Sequence, residues 1–387
     1  TVLVSRLEGP VVYPPERGGI ESIVHELTEG LNATGCPTDV LCAHRHWRSV
    51  DERAAAGHRI VRAGSYGVLQ STSLAPSLIG WTRSLAPTYD IVHVHMPNPL
   101  AALALWGARP QARIVVHWHS DVISQRLALK VYEPLQRWLL ARADAVVVTS
   151  QAYAEASEAL RPWRDKLAVV PLGISDNHSG NRPDRVAALR LAWSGRKIIF
   201  ALGRMAPYKG FDVLVEAAAR LPDDAVVLVG GTGPCLQRHR AHVASLGLGS
   251  KVHFLGPIPD DELTTYHQAA HVFCMPSLTR AEAFGVAQLE AMSAGRPVVC
   301  SAVDGSGLAW VNLDGVTGLT VQPSSSLALA AALRRLLSDP TMCLQLGSAA
   351  RQRYLQHFTA DAMVDRVAAL YRRLVPPLVR HTRNDNS

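Results

Sequence analysis

The chain has 387 residues, 48% hydrophobic and 18% charged, with a formal net charge of +7. That length exceeds one ordinary core and points to at least two domains, and the composition excludes a disordered chain. The positive balance suits an anionic partner, but the basic residues are scattered and lack the aromatic–basic interleaving of a nucleic-acid binder, so no nucleic acid is expected.

The opening TVLVSRL reads as a strand over residues 1–5, too short an apolar run for a signal peptide. No stretch approaches the ~20 apolar residues of a spanning helix, so the expected location is cytoplasmic or peripheral on the inner face of a membrane. YPPERGG follows, then a helical run from Ile20 to Ala33 and the strand DVLCA. Adjacent Gly18 and Gly19 before a helix let backbone approach a phosphate, although a tight turn explains the same pair. Residues 44–89 show no usable pattern. IVHVH (91–95), RIVVHWH (113–119) and DAVVVTS (144–150) are continuous apolar strands, the signature of a parallel sheet covered on both faces. His93 and His95 share one face, as do His117 and His119; with Asp121 in reach a metal is conceivable, but satisfied core histidines are the commoner outcome. His119 ends its strand at the expected crevice, where it can meet a sugar hydroxyl or face developing positive charge. Residues 125–142 form an amphipathic helix kinked at Pro134, read first as a domain helix and second as a membrane-surface element.

SDNHSGNRPD (175–184) carries no periodicity and reads as a linker. The βα alternation then restarts with strands at 197–204, 225–231, 251–256, 271–277 and 296–301. Two successive doubly wound domains account for it, with ligand at the carboxyl ends of their strands. Gly203 and Arg204 end one strand, and Lys209 follows five residues on; two cations there would neutralise a diphosphate. GGTGP (230–234) tempts a dinucleotide reading, but Leu236 stands where the third glycine belongs, which argues against a dehydrogenase. The stretch 273–300, FCMPSLTRAEAFGVAQLEAMSAGRPVVC, reads as strand, loop, helix and strand. Glu282 falls in the loop, Glu290 on the helix, and the amides of Phe284, Gly285 and Val286 at an anion-favouring helix start. Gly295 and Pro297 end that helix. The six cysteines form no C-x-x-C pair; Cys274 and Cys300 read as small buried hydrophobes. The chain closes on basic helices from residue 324.

Taken in order, YPPERGGIES, HSD (119–121), VVPLGI (169–174), GRMAPYKGFD (203–212), GGTGP, EAFGVAQLE (282–290) and VNLDGVTGLTVQP (311–323) resemble the retaining glycosyltransferases of family 4, over nearly the whole chain. The resemblance implies the GT-B fold, two Rossmann-like domains facing a cleft. It divides the chain into an acceptor-binding domain at 1–174, a linker at 175–190, a donor-binding domain at 191–359 and a helix at 360–380 that packs back on the first domain. It further implies Gly18 and Gly19 at the diphosphate and His119 against the donor sugar. Arg204 and Lys209 would lie on the diphosphate, with Gly203 beside them. Glu282 would hold the sugar hydroxyls, helped by Ala283 and the amides of Phe284, Gly285 and Val286; Glu290 would hold the ribose, and the base would lie near Gly256 and Pro257. No cofactor or metal is implied, because the nucleotide-sugar is a substrate and the leaving diphosphate meets cations and amides. The opening motif and SLTRAEAFG resemble bacterial exopolysaccharide and lipopolysaccharide mannosyltransferases. The expected partners are therefore GDP-mannose and a lipid-linked saccharide, with possible rivals in UDP-sugar donors or a nucleotide-sugar epimerase.

Overall fold

The computed structural model describes residues 2–6, 19–44, 46–69, 72–121, 126–176 and 182–376. Gly18, and with it all of the first glycine motif up to Gly19, lies outside the described residues.

The first domain begins β1 (Val2–Arg6), α1 (Gly19–Ala33), β2 (Thr38–Ala43), β3 (Val50–Arg53) and β4 (Arg59–Ala63). A small ribbon, β5 (Val68–Leu69) with β6 (Thr72–Ser73), leads to α2 (Ser77–Leu85). Then come β7 (Ile91–Met96), α3 (Pro99–Ala108), β8 (Arg113–Trp118), α4 (Arg126–Arg142), β9 (Ala145–Val148), α5 (Gln151–Ala156) and β10 (Leu167–Val169). The sheet order is β10-β9-β8-β7-β1-β2-β4-β3, parallel except where β3 runs antiparallel to β4.

The second domain begins α6 (Pro183–Ala192), β11 (Lys197–Leu202), α7 (Phe211–Ala218), β12 (Ala225–Gly230), α8 (Leu236–Ser245) and β13 (Val252–Gly256). It continues α9 (Asp260–Ala269), β14 (Val272–Met275), α10 (Val286–Ser293), β15 (Val298–Ser301), α11 (Leu308–Val311), β16 (Gly318–Val321) and α12 (Ser326–Ser338). Its all-parallel sheet has the order β13-β12-β11-β14-β15-β16. Last come α13 (Pro340–His357) and α14 (Ala360–Leu374).

The apolar runs explain these sheets. Ile198 and Phe200 enter one core cluster, while Ile199 and Ala201 enter the cluster on the opposite face. Val226 and Leu228 part from Val227 and Val229 in the same way, so each strand feeds both faces with period two. In each sheet the chain reverses its order of travel once, between β1 and β7 and again between β11 and β14. Ligands of such sheets bind beyond the carboxyl ends at that reversal.

The chain crosses back at its end. Tyr354 Oη donates to Ile174 O at 2.8 Å, and the Ala360 amide donates to the same carbonyl at 2.9 Å. Helix α14 then lies so close to α1 that a Cβ at Gly30 would meet Val364 Cγ2 at 2.4 Å. The expected linker at 175–190 includes the first turns of α6, which packs on α9.

His271, just before β14, is half-buried and its Nδ1 accepts the Ile198 amide at 3.0 Å. Burial, with Arg190, Arg296 and Lys197 nearby, pushes its pKa down to about 4. The unfolded chain takes up this proton near pH 6.5 and the folded chain only near 4, so stability is full above 6.5 and falls as the pH drops through that window. The melting temperature is expected to fall between pH 6.5 and 4, less steeply in His271→Asn, which keeps an acceptor without a charge.

Candidate active site

The site is assembled from the second domain first. Beyond β11, Gly203 and Arg204 lead into a tight 3₁₀ turn, Pro207–Lys209. Lys209 folds back over Gly203: a Cβ there would lie 3.2 Å from Lys209 Cε and Nζ, so the lysine occupies the space a side chain would need. Beyond β14, the loop carrying Glu282 is pinned from behind. Ser306 Oγ donates to the Glu282 carbonyl, and the Gly307 amide donates to Ala283 O at 2.7 Å.

These two strand ends meet. Lys209 Nζ lies 2.5 Å from Glu282 Oε2, with side chains 12% and 11% exposed, and Ser277 Oγ donates to the same oxygen at 3.3 Å. Burial alone would lower the Lys209 pKa, but the Glu282 carboxylate, with Tyr208 and Glu290 behind it, outweighs burial and holds the ammonium above its ordinary value. Lys209 and Arg204 therefore differ in their partners. Lys209 is charge-balanced by Glu282, whereas Arg204 is exposed and forms no ion pair among the described residues.

Helix α10 starts at this point. Gly285 precedes it with φ 81°, and the first amides of the helix have no intrahelical acceptor. They present partial positive charge beside Lys209 and Arg204. One turn on, Glu290 faces His267 Nε2 at 3.2 Å. Gly256 ends β13 at the sheet edge, where its carbonyl accepts the Gly231 amide at 2.7 Å; Pro257 follows it on the far side of the Gly231 turn from Arg204.

The first domain supplies the facing wall. A Cβ at Gly19 would come 3.9 Å from Val286 Cβ, so the start of α1 lies against the start of α10. His119, buried after β8, places Nε2 2.8 Å from His95 Nδ1. Its ring continues a stack through His117, His95 and His93, and His93 bonds Tyr371 of α14. Burial, then His117, keeps His93 well below the ordinary imidazole pKa, so it is neutral.

Ligand atoms of His93, His95 and His117 lie within 4.8 Å of one another. The three rings are nearly parallel, 10–22° between planes, and His93 Nδ1 is engaged by the Tyr371 hydroxyl while His95 Nδ1 is engaged by His119. Asp121, the oxygen ligand weighed for them, is committed elsewhere: it pairs with Arg280 and accepts from Trp118 Nε1.

The structure thus brings together Gly19, Gly203, Lys209, Glu282, Ala283, Phe284, Gly285 and Val286, with Arg204 at the rim and Glu290 one helical turn away. The sequence reading missed Ser277 and His267, and it weighed His95 without pairing it with His119. The alternation along the two strands carried a signal, since the register sets His95 opposite His117 and His119, two residues on, falls on the same face. His95→Phe keeps the stack and removes the hydrogen bond to His119. The variant's kcat is expected to be about tenfold to a hundredfold lower, with the melting temperature near wild type.

Two family models match: the glycosyl transferase 4-like domain over residues 18–173 and glycosyl transferases group 1 over 190–353. The O-antigen chain mannosyltransferase C of Escherichia coli is 32% identical, over 94% of this chain and 96% of that protein. A GDP-mannose-dependent alpha-(1-6)-phosphatidylinositol monomannoside mannosyltransferase of Mycolicibacterium smegmatis is 30% identical, over 92% and 96%. Sucrose-phosphate synthase from Thermosynechococcus elongatus superposes with a TM-score of 0.79 at 26% identity, covering 96% of this chain and 98% of that one. The glycosyltransferase WaaG, at 18% identity and a TM-score of 0.70 over 96% and 99%, shares the fold. With both halves matched and relatives of 30% and 32% identity covered almost from end to end, the chain belongs to the group 1 glycosyl transferases and is a glycosyltransferase of the GT-B fold.

Proposed function

We propose that this glycosyltransferase moves mannose from GDP-mannose to a lipid-linked saccharide in bacterial surface polysaccharide synthesis, with retention and without a metal. The observation that carries the reading is the buried Lys209–Glu282 pair at the β11/β14 reversal, flanked by Arg204 and the start of α10. Cations and amides there suit a leaving diphosphate, whose charge they stabilise as the bond from sugar C1 to the phosphate oxygen breaks. The acceptor hydroxyl attacks C1 from the same face and gives its proton to the departing phosphate oxygen. Glu282, already held by Lys209 and Ser277, orients sugar hydroxyls and does not attack. Glu290 takes the ribose, and the base extends toward Gly256 and Pro257.

The names of the relatives support the donor. Two are mannosyltransferases, one of them named as GDP-mannose-dependent. The rival to GDP-mannose is a UDP-sugar donor. A thermal-shift panel separates them: GDP is expected to raise the melting temperature well beyond UDP, and a larger shift with UDP overturns the donor assignment.

No helix among the described residues is long and apolar enough to cross a membrane. Contact with a lipid acceptor is assigned to α3, where Leu103 and Trp106 are exposed and Arg109 lies 5.8 Å over the Trp106 ring. Trp106→Ser is expected to weaken co-sedimentation with phosphatidylglycerol vesicles; unchanged binding removes this contact from the account.

A further inference from the structure

Glu282 and His119 come from different domains, and each lies two residues from one end of a single ion pair. Arg280 Nη2 is 2.9 Å from Asp121 Oδ2, with side chains 30% and 12% exposed. Arg280 Nη1 also donates to Ala156 O, at the end of α5, at 2.6 Å. Asp121 is held in turn by its own domain. Its Oδ1 accepts from Ser157 Oγ at 2.7 Å and from Trp118 Nε1 at 3.0 Å, and its amide donates to the buried Tyr153 hydroxyl at 2.6 Å. The backbone closes at the same place. Gly305, at φ 69°, approaches α5 so nearly that a Cβ would meet Ala156 Cβ at 2.4 Å, and a Cβ at Gly307 would lie 3.1 Å from Ser150 Oγ. The second domain therefore meets the first through a guanidinium in a prepared socket, beside a contact only glycine permits.

We propose that Arg280 and Asp121 form a positioning pair that sets the Glu282 loop against the end of β8, so that the sugar-facing groups of both domains stand in register. Resting on the glycosyl-transfer reading, the proposal goes beyond it by assigning a role to residues outside the donor contacts. Neither residue touches the reacting atoms. Their effect on rate comes from geometry, because a displacement of about 1 Å between groups that must act together costs about a hundredfold. An ion pair suits the task better than apolar packing: the planar fork fixes direction as well as distance, and its second arm on Ala156 O fixes rotation.

The test uses the full chain and four variants: Arg280→Ala, Arg280→Lys, Asp121→Asn and the double Arg280→Ala/Asp121→Asn. For Arg280→Ala, kcat is expected to fall about thirtyfold, with KM for the donor and the dissociation constant of GDP within about threefold of wild type. Arg280→Lys keeps a positive charge facing Asp121 but loses the fork and its arm on Ala156 O, so its kcat is expected between those of Arg280→Ala and wild type, and the double variant should be no slower than the slower single one. Hydrogen exchange gives a readout that needs no turnover: peptides covering 278–285 and 119–121 exchange faster in Arg280→Ala, while those of α7 do not change. Unchanged exchange in the two site peptides overturns the pairing whether or not transfer from GDP-mannose is observed. A kcat within threefold of wild type, singles that multiply in the double, or a parallel loss of GDP binding also overturns it. Should Arg280→Ala fail to fold, Arg280→Lys and Asp121→Asn, close to the native size, carry the same comparison.

Discussion

Replacing Lys209 with methionine is expected to lower transfer about a hundredfold to a thousandfold, the usual cost of removing one pre-set charge-stabilising group from a site where negative charge develops. Two features make the effect large. The ammonium is almost enclosed, so its charge acts at close range with little water between, and it is held by Glu282 and lies over Gly203 before any ligand arrives. Removing one member of a buried pair also costs about 3–5 kcal/mol of stability. Activity should therefore be measured well below the variant's melting temperature, with Lys209→Arg alongside. The arginine keeps the charge but must fit a larger planar head over Gly203, so its activity is expected between the two. Equal turnover in wild type and Lys209→Met would remove Lys209 from the diphosphate site.

The second expectation has two opposite signs. Glu282→Gln keeps the shape of the side chain and an oxygen for Lys209 and Ser277, but removes the charge that balances Lys209. Free GDP should bind about fivefold more tightly, because a carboxylate that repels the diphosphate is gone and the ammonium is uncompensated. Transfer should nevertheless fall about a hundredfold, since the sugar loses a charged acceptor for its hydroxyls. Titration calorimetry and initial rates on one preparation check both halves. Weaker GDP binding in this variant would mean that Glu282 supports the nucleotide rather than opposing it.

Much of the fold was legible because its strands are buried on both faces: IVHVH, RIVVHWH, AVVLVG and VFCM announce themselves as apolar runs, and each is a strand in the structure. Residues 44–89 were not legible for the opposite reason. Strand β3, VDER, is exposed along its whole length and is held by cross-strand ion pairs, Arg59 to Asp51 and Arg62 to Glu52, which leave no periodicity to read. Helix α6 was read partly as linker because it buries none of its residues fully and depends on α9 for its contact. The site divides along the same line. The types and places of Gly203, Lys209, Glu282 and Glu290 follow from strand ends and a helix start. That Lys209 and Glu282 hold each other, and that Arg280 reaches Asp121 in the other domain, depends on how separate loops pack, which spacing along one chain does not encode.

The pairing also changes how the two predicted cations are understood. In the sequence they look equivalent; in the structure one is balanced and enclosed, the other exposed at the rim. On the proposed reading, a diphosphate entering from solvent would meet Arg204 first and Lys209 at the end of its path. On this account Arg204 governs affinity and Lys209 governs the rate of the bond-breaking step.

One measurement bears most directly on the central claim, that a mannosyl group leaves a nucleoside diphosphate at the β11/β14 reversal and keeps its configuration. The full chain is incubated with GDP-mannose and a polyprenyl-diphosphate-linked saccharide in the presence of EDTA, and the product is examined by proton NMR. The account predicts one new α-mannosyl anomeric signal, growing in step with released GDP, from wild type and not from Lys209→Met. A β-linked product, a requirement for added divalent metal, or GDP released with no sugar on the acceptor would contradict it.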